Sequence, residues 1–190
     1  MYIFIFFYLL LIKKIIYLLN GNYINSLSSS TFLINLFCPG DTYIDVLIII
    51  LVLVSSIHHS IRHQYRSYLT KLIHSLDSGI IVSITSYMAL HYINYNPVLI
   101  SILLSIPIIF IEYFYQNRLP KKIIVGLSFV FLIIINPYYI FPLSLSLYFF
   151  FKSHLWTINN FYRFGWHFAA SLCILLYLLN DFDNINQSLS

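Results

Sequence analysis

The chain has 190 residues, of which 60% are hydrophobic and only 8% are charged. A water-soluble domain carries about 25% charged residues, so this composition excludes an ordinary soluble fold and predicts a protein that faces lipid. The formal net charge of +4 is spread along the chain without a lysine- and arginine-rich run, and this excludes a nucleic-acid-binding protein.

The apolar stretches indicate helices, because they are continuous, as in residues 46–54 (VLIIILVLV), and do not alternate as the strands of a membrane barrel do. We therefore predict an all-α membrane protein, a seven-transmembrane-helix bundle that forms a single domain over residues 1–190. The predicted spans are residues 1–19, 43–60, 76–92, 98–116, 121–135, 138–152 and 166–180.

The first span carries an internal Lys13-Lys14 pair, which is expensive at the centre of a bilayer. This helix is therefore strongly tilted, partly interfacial, or shielded by its neighbours. Residues 20–30 follow as a polar loop, which continues less clearly through residues 31–41.

The apolar segment from residue 123 to residue 151 has two interpretations. Asn136-Pro137 either kinks one long helix or separates two short spans. As a single helix the segment would extend about 44 Å, which is long for a hydrocarbon core of about 30 Å.

Basic residues in the loops favour two short spans. They occur in alternate connections, namely at Arg62, Arg66 and Lys71, at Arg118, Lys121 and Lys122, and at Lys152 and Arg163. Because lysine and arginine accumulate on the cytoplasmic side of short loops, the pattern predicts a multi-pass protein with a cytoplasmic amino terminus and its carboxyl terminus on the opposite side.

Three places at span ends combine histidine, carboxylate and hydroxyl groups. Ser55 and His59 are four residues apart near the end of the second span, Asp77 lies at the start of the third, and Arg163 and His167 begin the seventh. In the predicted topology all three lie at the same membrane face. Imidazoles, a carboxylate and a hydroxyl are the groups that a hydrolytic zinc site needs.

These residues resemble the pattern of the CREST superfamily of seven-span membrane proteins, which includes alkaline ceramidases, adiponectin/progestin-type receptors and Per1-like proteins. The family has S-x-x-x-H in the second span, Asp near the start of the third, and H-x-x-x-H in the seventh. Ser55 and His59 match the first element, Asp77 the second, and His167 the second half of the third.

The resemblance implies a zinc-dependent hydrolase that attacks an amide or ester of a membrane lipid. His59 and His167 would hold the zinc, Asp77 would accept the proton of the attacking water, and Ser55 would orient the developing oxyanion.

The last element of the pattern is degenerate, because Arg163 stands where the family has a histidine. A guanidinium stays protonated and cannot ligate zinc. His63 or His154 substitutes as the third ligand, or the metal is lost and Arg163 pairs with Asp77.

The alternative class is a non-catalytic membrane protein, either a receptor-like or fusion-type family member or a subunit of a larger organellar membrane complex. Its partners would be other membrane subunits as well as membrane lipids. Bis-histidine haem ligation by His59 and His167 is a third interpretation. We interpret His58, His63 and His74 as ordinary interfacial residues. From its charge and position we expect Glu112 to pair with Arg118 or Lys121.

Overall fold

The computed structural model describes the backbone of residues 29–37, 41–61, 68–93, 96–155 and 160–189, and the side chains within these ranges except those of residues 29, 59–61, 150–155, 160–163 and 181–189. All regular structure in these ranges is helical, and this confirms the all-α prediction. The predicted first span, residues 1–19, lies outside the described residues.

Within the described ranges six α-helices follow one another, and each overlaps one of the six predicted spans from residue 43 onward. They are α1 (Thr42–Ile61), α2 (Tyr68–His91), α3 (Pro97–Tyr115), α4 (Leu119–Ile135), α5 (Ile140–Leu155) and α6 (Asn160–Leu189). Among the described helices, α3 is the one long and apolar enough to cross a membrane, while the apolar parts of α1 and α6, Thr42–His58 and Phe164–Asn180, are shorter.

The ends of α3 follow from local side-chain and backbone chemistry. The Asn96 side chain accepts a hydrogen bond from the Leu99 N–H at 3.2 Å, and Pro97 occupies the first turn, where its missing N–H is no loss. The helix stops at Gln116, whose φ of 52° is left-handed and whose N–H donates to the Glu112 carbonyl.

A turn, and not a kink, separates α4 from α5. The Asn136 side chain accepts a hydrogen bond from the Tyr138 N–H at 3.0 Å, and Pro137–Tyr139 forms a single 3-10 turn before α5 begins. Two helices in place of one long helix are the arrangement that the loop charges favoured.

Helix α2 lies at the centre of the packing and contacts α1, α3 and α4. Its closest approach is to α3 at Gly79, where an added Cβ would lie 2.4 Å from Ile109 Cγ1. Small residues also line the α3 side of this interface, at Ser101 and Ser105. Small residues at helix interfaces are typical of membrane bundles, because they allow the backbones to approach closely.

The segment Ser29–Phe37 differs from its prediction, since it forms a partly buried 3-10 helix where we expected polar loop. It contacts both α1 and α6. Asn35 Nδ2 donates a hydrogen bond to Ser171 Oγ at 3.1 Å, and Ser171 Oγ donates to the Thr31 carbonyl at 3.0 Å. Polar side chains can be buried here because they bond to one another.

The bundle buries many polar side chains beside an apolar core that includes Ile44 and Leu132, and it exposes many large apolar side chains. On α3, Ser101, Ser105 and Glu112 are buried whereas Leu103 and Phe110 are exposed. Exposed large apolar side chains occur on each helix from α1 to α5, among them Ile49, Leu53, Leu69, Leu127, Val130, Phe141 and Leu147. Exposure of so many large apolar side chains is unusual for a water-soluble protein.

Candidate metal site

Ionisable side chains converge where α1 and α3 end and where α2 and α4 begin. His58 comes from the last turns of α1, His74 and Asp77 from the first half of α2, Glu112 from the end of α3 and Lys121 from the start of α4. Residues 68–91 form one continuous helix, so His74 and Asp77, three positions apart, lie on one face of it.

His58, His74 and Asp77 form a triad of potential metal ligands. One ligand atom from each lies within 4.8 Å of the other two. The Nδ1 atom of His58 is 3.8 Å from Oδ2 of Asp77, and the two imidazole centroids are 4.6 Å apart. The point equidistant from three atoms at this separation lies about 2.8 Å from each of them, whereas zinc binds such atoms at about 2.0–2.2 Å. Side-chain shifts of less than about 1 Å would therefore close the triad around a metal ion.

The hydrogen bonding of the site also fits a cation. Within the described part of the chain, Oδ1 of Asp77 and Nδ1 of His74 are buried and make no hydrogen bond of ordinary geometry. An unsatisfied buried polar atom costs about 1–3 kcal/mol. A divalent ion would satisfy both atoms, so the triad can hold a metal ion.

Glu112 lies beside the triad and is only 3% exposed. Its Oε1 atom is 2.9 Å from His74 Nε2 and 3.5 Å from Arg118 Nε, and its Oε2 atom is 4.0 Å from Lys121 Nζ. From the sequence we expected Glu112 to pair with Arg118 or Lys121, and it pairs with both. The contact with His74 is an addition that the sequence did not indicate.

Two hydroxyl groups complete the cluster. The Ser55 hydroxyl hydrogen-bonds to the Asp77 carboxylate, and Lys121 Nζ donates a hydrogen bond to Ser78 Oγ at 2.7 Å. The two carboxylates of the cluster, Asp77 and Glu112, thus stand near two cationic side chains from the start of α4.

The structure brings together two of the residues that the sequence predicted for zinc chemistry, Ser55 and Asp77. His167 is buried, and its ring lies 5.9 Å from that of Phe32 and 4.7 Å from that of Trp166, centroid to centroid. It is not a member of the triad found among the described side chains. Four other candidates have side chains outside the described residues, namely His59, His63, His154 and Arg163.

His58 and His74 are the site residues that sequence reasoning missed. We interpret both as interfacial residues because they lie at the predicted headgroup boundary, and His74 precedes the predicted third span, which begins at residue 76. In the structure α2 begins at Tyr68, two turns earlier. The i, i+3 spacing of His74 and Asp77 could have indicated the site. It does so only if both residues belong to one helix, which requires α2 to begin earlier than predicted.

Fold and site together define an all-α protein with a largely buried two-histidine, one-carboxylate cluster that can hold a metal ion. A scan against protein-family models, a search of curated proteins and a search of solved structures find no match for the chain.

Proposed function

We propose that this chain is a seven-span membrane protein that binds zinc at the triad and hydrolyses an amide or ester bond of a membrane lipid. The observation that carries the proposal is the approach of two imidazoles and one carboxylate to within 4.8 Å of one another. A two-histidine, one-carboxylate set that leaves a coordination position open is used by catalytic zinc sites of known hydrolases.

The distribution of side chains supports the membrane part of the proposal. Serines and ionisable groups lie inside the bundle, and large apolar side chains face outward from α1 to α5. In water the exposed apolar surface would be unfavourable, whereas lipid is a suitable solvent for it. The alternation of basic loops supports an orientation with the amino terminus in the cytoplasm.

When bound, zinc supplies a water activated for attack near neutral pH and a Lewis acid for the substrate carbonyl. Asp77 would ligate the zinc through one carboxylate oxygen, and its other oxygen would accept the proton of the attacking water. Ser55 orients the carboxylate through its hydrogen bond. The proton then passes to the leaving amine or alcohol as the C–N or C–O bond breaks, which yields a carboxylic acid and an amine or alcohol.

The proposal keeps the reaction and the catalytic Asp77 that the CREST resemblance implies, but it assigns different ligands. The resemblance gives His59 and His167 to the metal, while the geometry favours His58 and His74. A triad built on His58 and His74 does not need a histidine at position 163, so Arg163 is no obstacle to it.

Zinc content and lipid hydrolysis measured on the same preparation test the proposal. The full chain would be purified in detergent, its zinc determined by mass spectrometry, and release of a fluorescent acyl chain from an N-acyl lipid followed. We expect bound zinc, and an activity that falls about 10²–10⁴-fold in Asp77→Asn. Ser146→Ala is the matched control, since Ser146 is buried on α5, which contributes nothing to the triad.

Two results would overturn the proposal. One is a folded wild-type protein that contains no zinc after expression in zinc-supplemented medium. The other is acyl release that is unchanged in Asp77→Asn while Ser146→Ala behaves as the wild type.

A second candidate is a non-catalytic membrane protein in which the same cluster only stabilises the packing of the helix ends. The observation that favours it is that Lys121 and Arg118 already pair with the Glu112 carboxylate, and the Lys121 charge also acts on Asp77. This candidate predicts that added zinc leaves the melting temperature unchanged. The zinc proposal predicts a rise, because a ligand that binds only the folded state stabilises it.

A further inference from the structure

We propose that Glu112 is a positioning residue of the metal site: it holds the His74 imidazole by Nε2 and thereby presents Nδ1 to the metal. This inference rests on the proposed zinc site. It adds a third helix, α3, to the two helices that supply ligands.

Glu112 and His74 are in close contact. Glu112 Oε1 and His74 Nε2 are 2.9 Å apart, with the ring turned out of line for an ideal hydrogen bond. Catalytic hydrogen bonds are often poorly aligned in the unliganded state and tighten when the site is filled. A small rotation of the imidazole would align this one.

The Glu112 carboxylate decides which nitrogen of the His74 imidazole carries the proton. A neutral ring carries its proton on one nitrogen and a lone pair on the other, and a carboxylate beside one nitrogen draws the proton there. With Nε2 facing Glu112, the lone pair is on Nδ1. In the described part of the chain Nδ1 is buried and makes no hydrogen bond. Histidines that bind metals almost always donate their other N–H to such a partner.

Two cationic side chains hold Glu112 in place. Arg118 and Lys121, at the start of α4, lie 3.5 Å and 4.0 Å from its carboxylate oxygens. The Arg118 side chain is 52% exposed, so a carboxylate that served only as its counterion could lie near the surface with it. Glu112 is instead buried on the α2 side of α3, in line with Ser101 and Ser105. This location suits a residue that reaches His74.

The experiment is a zinc titration of the chelator-stripped, full-length protein in detergent, with a competing fluorescent chelator as the reporter. Glu112→Ala should lower zinc affinity about 10–100-fold, the usual effect of removing such a partner. Glu112→Gln keeps an acceptor oxygen without the charge, so its loss should be smaller. Ser105→Ala, two turns away on the same buried line of α3, should bind zinc as the wild type does.

Cobalt substitution gives a second readout that a merely structural role would not change. The visible absorption of bound Co²⁺ reports the ligand geometry, and it should shift in both Glu112 variants but not in Ser105→Ala. Because Glu112→Gln is isosteric, it keeps the test usable if Glu112→Ala does not fold.

The outcomes separate the two proposals. A wild-type protein that binds no zinc contradicts the metal site itself. If the wild type binds zinc and the folded Glu112 variants keep its affinity and its cobalt spectrum, the triad stands and the positioning role of Glu112 is wrong.

Discussion

The close approach of α2 to α3 predicts a measurable loss of stability when Gly79 is replaced by alanine. The new Cβ would lie 2.4 Å from Cγ1 and 2.6 Å from Cδ1 of Ile109. Carbon atoms pack best at about 3.5–4.0 Å, so the overlap exceeds about 1 Å. Either Ile109 must leave its rotamer or the two helices must separate.

The magnitude follows from two opposing terms. Overpacking a well-packed interface costs about 1–3 kcal/mol, whereas alanine in place of glycine stabilises a helix by about 1 kcal/mol. We therefore expect the free energy of unfolding to fall by about 1 kcal/mol. In a chain of this size that lowers the melting temperature by about 2–4 °C.

The assay is thermal unfolding of the detergent-purified protein followed by circular dichroism, with Gly126→Ala as the matched control. Gly126 also lies in a helix, but a Cβ there would meet nothing within 4 Å. The control should therefore melt no lower than the wild type. Equal shifts in the two variants, or a higher melting temperature for Gly79→Ala, would refute the close packing of α2 against α3.

Two further predictions concern the bundle and its membrane. The Tyr43 hydroxyl lies 3.0 Å from both Ser83 Oγ and Ser101 Oγ and so links three helices. Tyr43→Phe should therefore lower the free energy of unfolding by about 1 kcal/mol. The control Tyr138→Phe, at an exposed position, should leave the free energy of unfolding unchanged. Lys122 lies in the first turn of α4 and Tyr138 just beyond its end. In a cysteine-free background, Lys122→Cys and Tyr138→Cys should react with an impermeant thiol reagent from opposite sides of sealed vesicles. Reaction of both from one side would show that α4 does not cross.

The helices could be predicted where local signals coincide with the apolar pattern. The prediction for α3 was residues 98–116 and the helix is Pro97–Tyr115, since Asn96 and Pro97 begin it and the chain turns at Gln116. The prediction for α2 began at residue 76, eight residues late. Hydropathy marks the part of a helix suited to hydrocarbon, and the polar first turns of α2 do not register in it.

That missed stretch explains why the candidate site was only half predicted. Ser55 and Asp77 lie within recognised spans, and their proximity follows from the order of the helices. His74 lies in the unrecognised turns, and its partner Glu112 comes from a different helix. The sequence spacing of residues 74 and 112 contains no sign of this contact, because it depends on how α2 packs against α3.

The Ser29–Phe37 segment could not be predicted for a related reason. Its serines, threonine and asparagine are typical of a loop. Thr31 and Asn35 are nevertheless buried, because they form hydrogen bonds with Ser171 of α6. Burial of polar residues depends on a partner that is distant in sequence, and such pairing is invisible to composition.

Zinc binding to four single histidine variants tests the triad most directly. Zinc per chain would be measured on purified wild type and on His58→Ala, His74→Ala, His59→Ala and His167→Ala, with circular dichroism as the check on folding. We predict that the wild type binds zinc, that the His58 and His74 variants lose it, and that His167→Ala, whose native ring packs against Phe32, retains it. Retention by the His58 and His74 variants, with loss in the His59 and His167 variants, would contradict the triad and favour the ligands implied by the CREST resemblance.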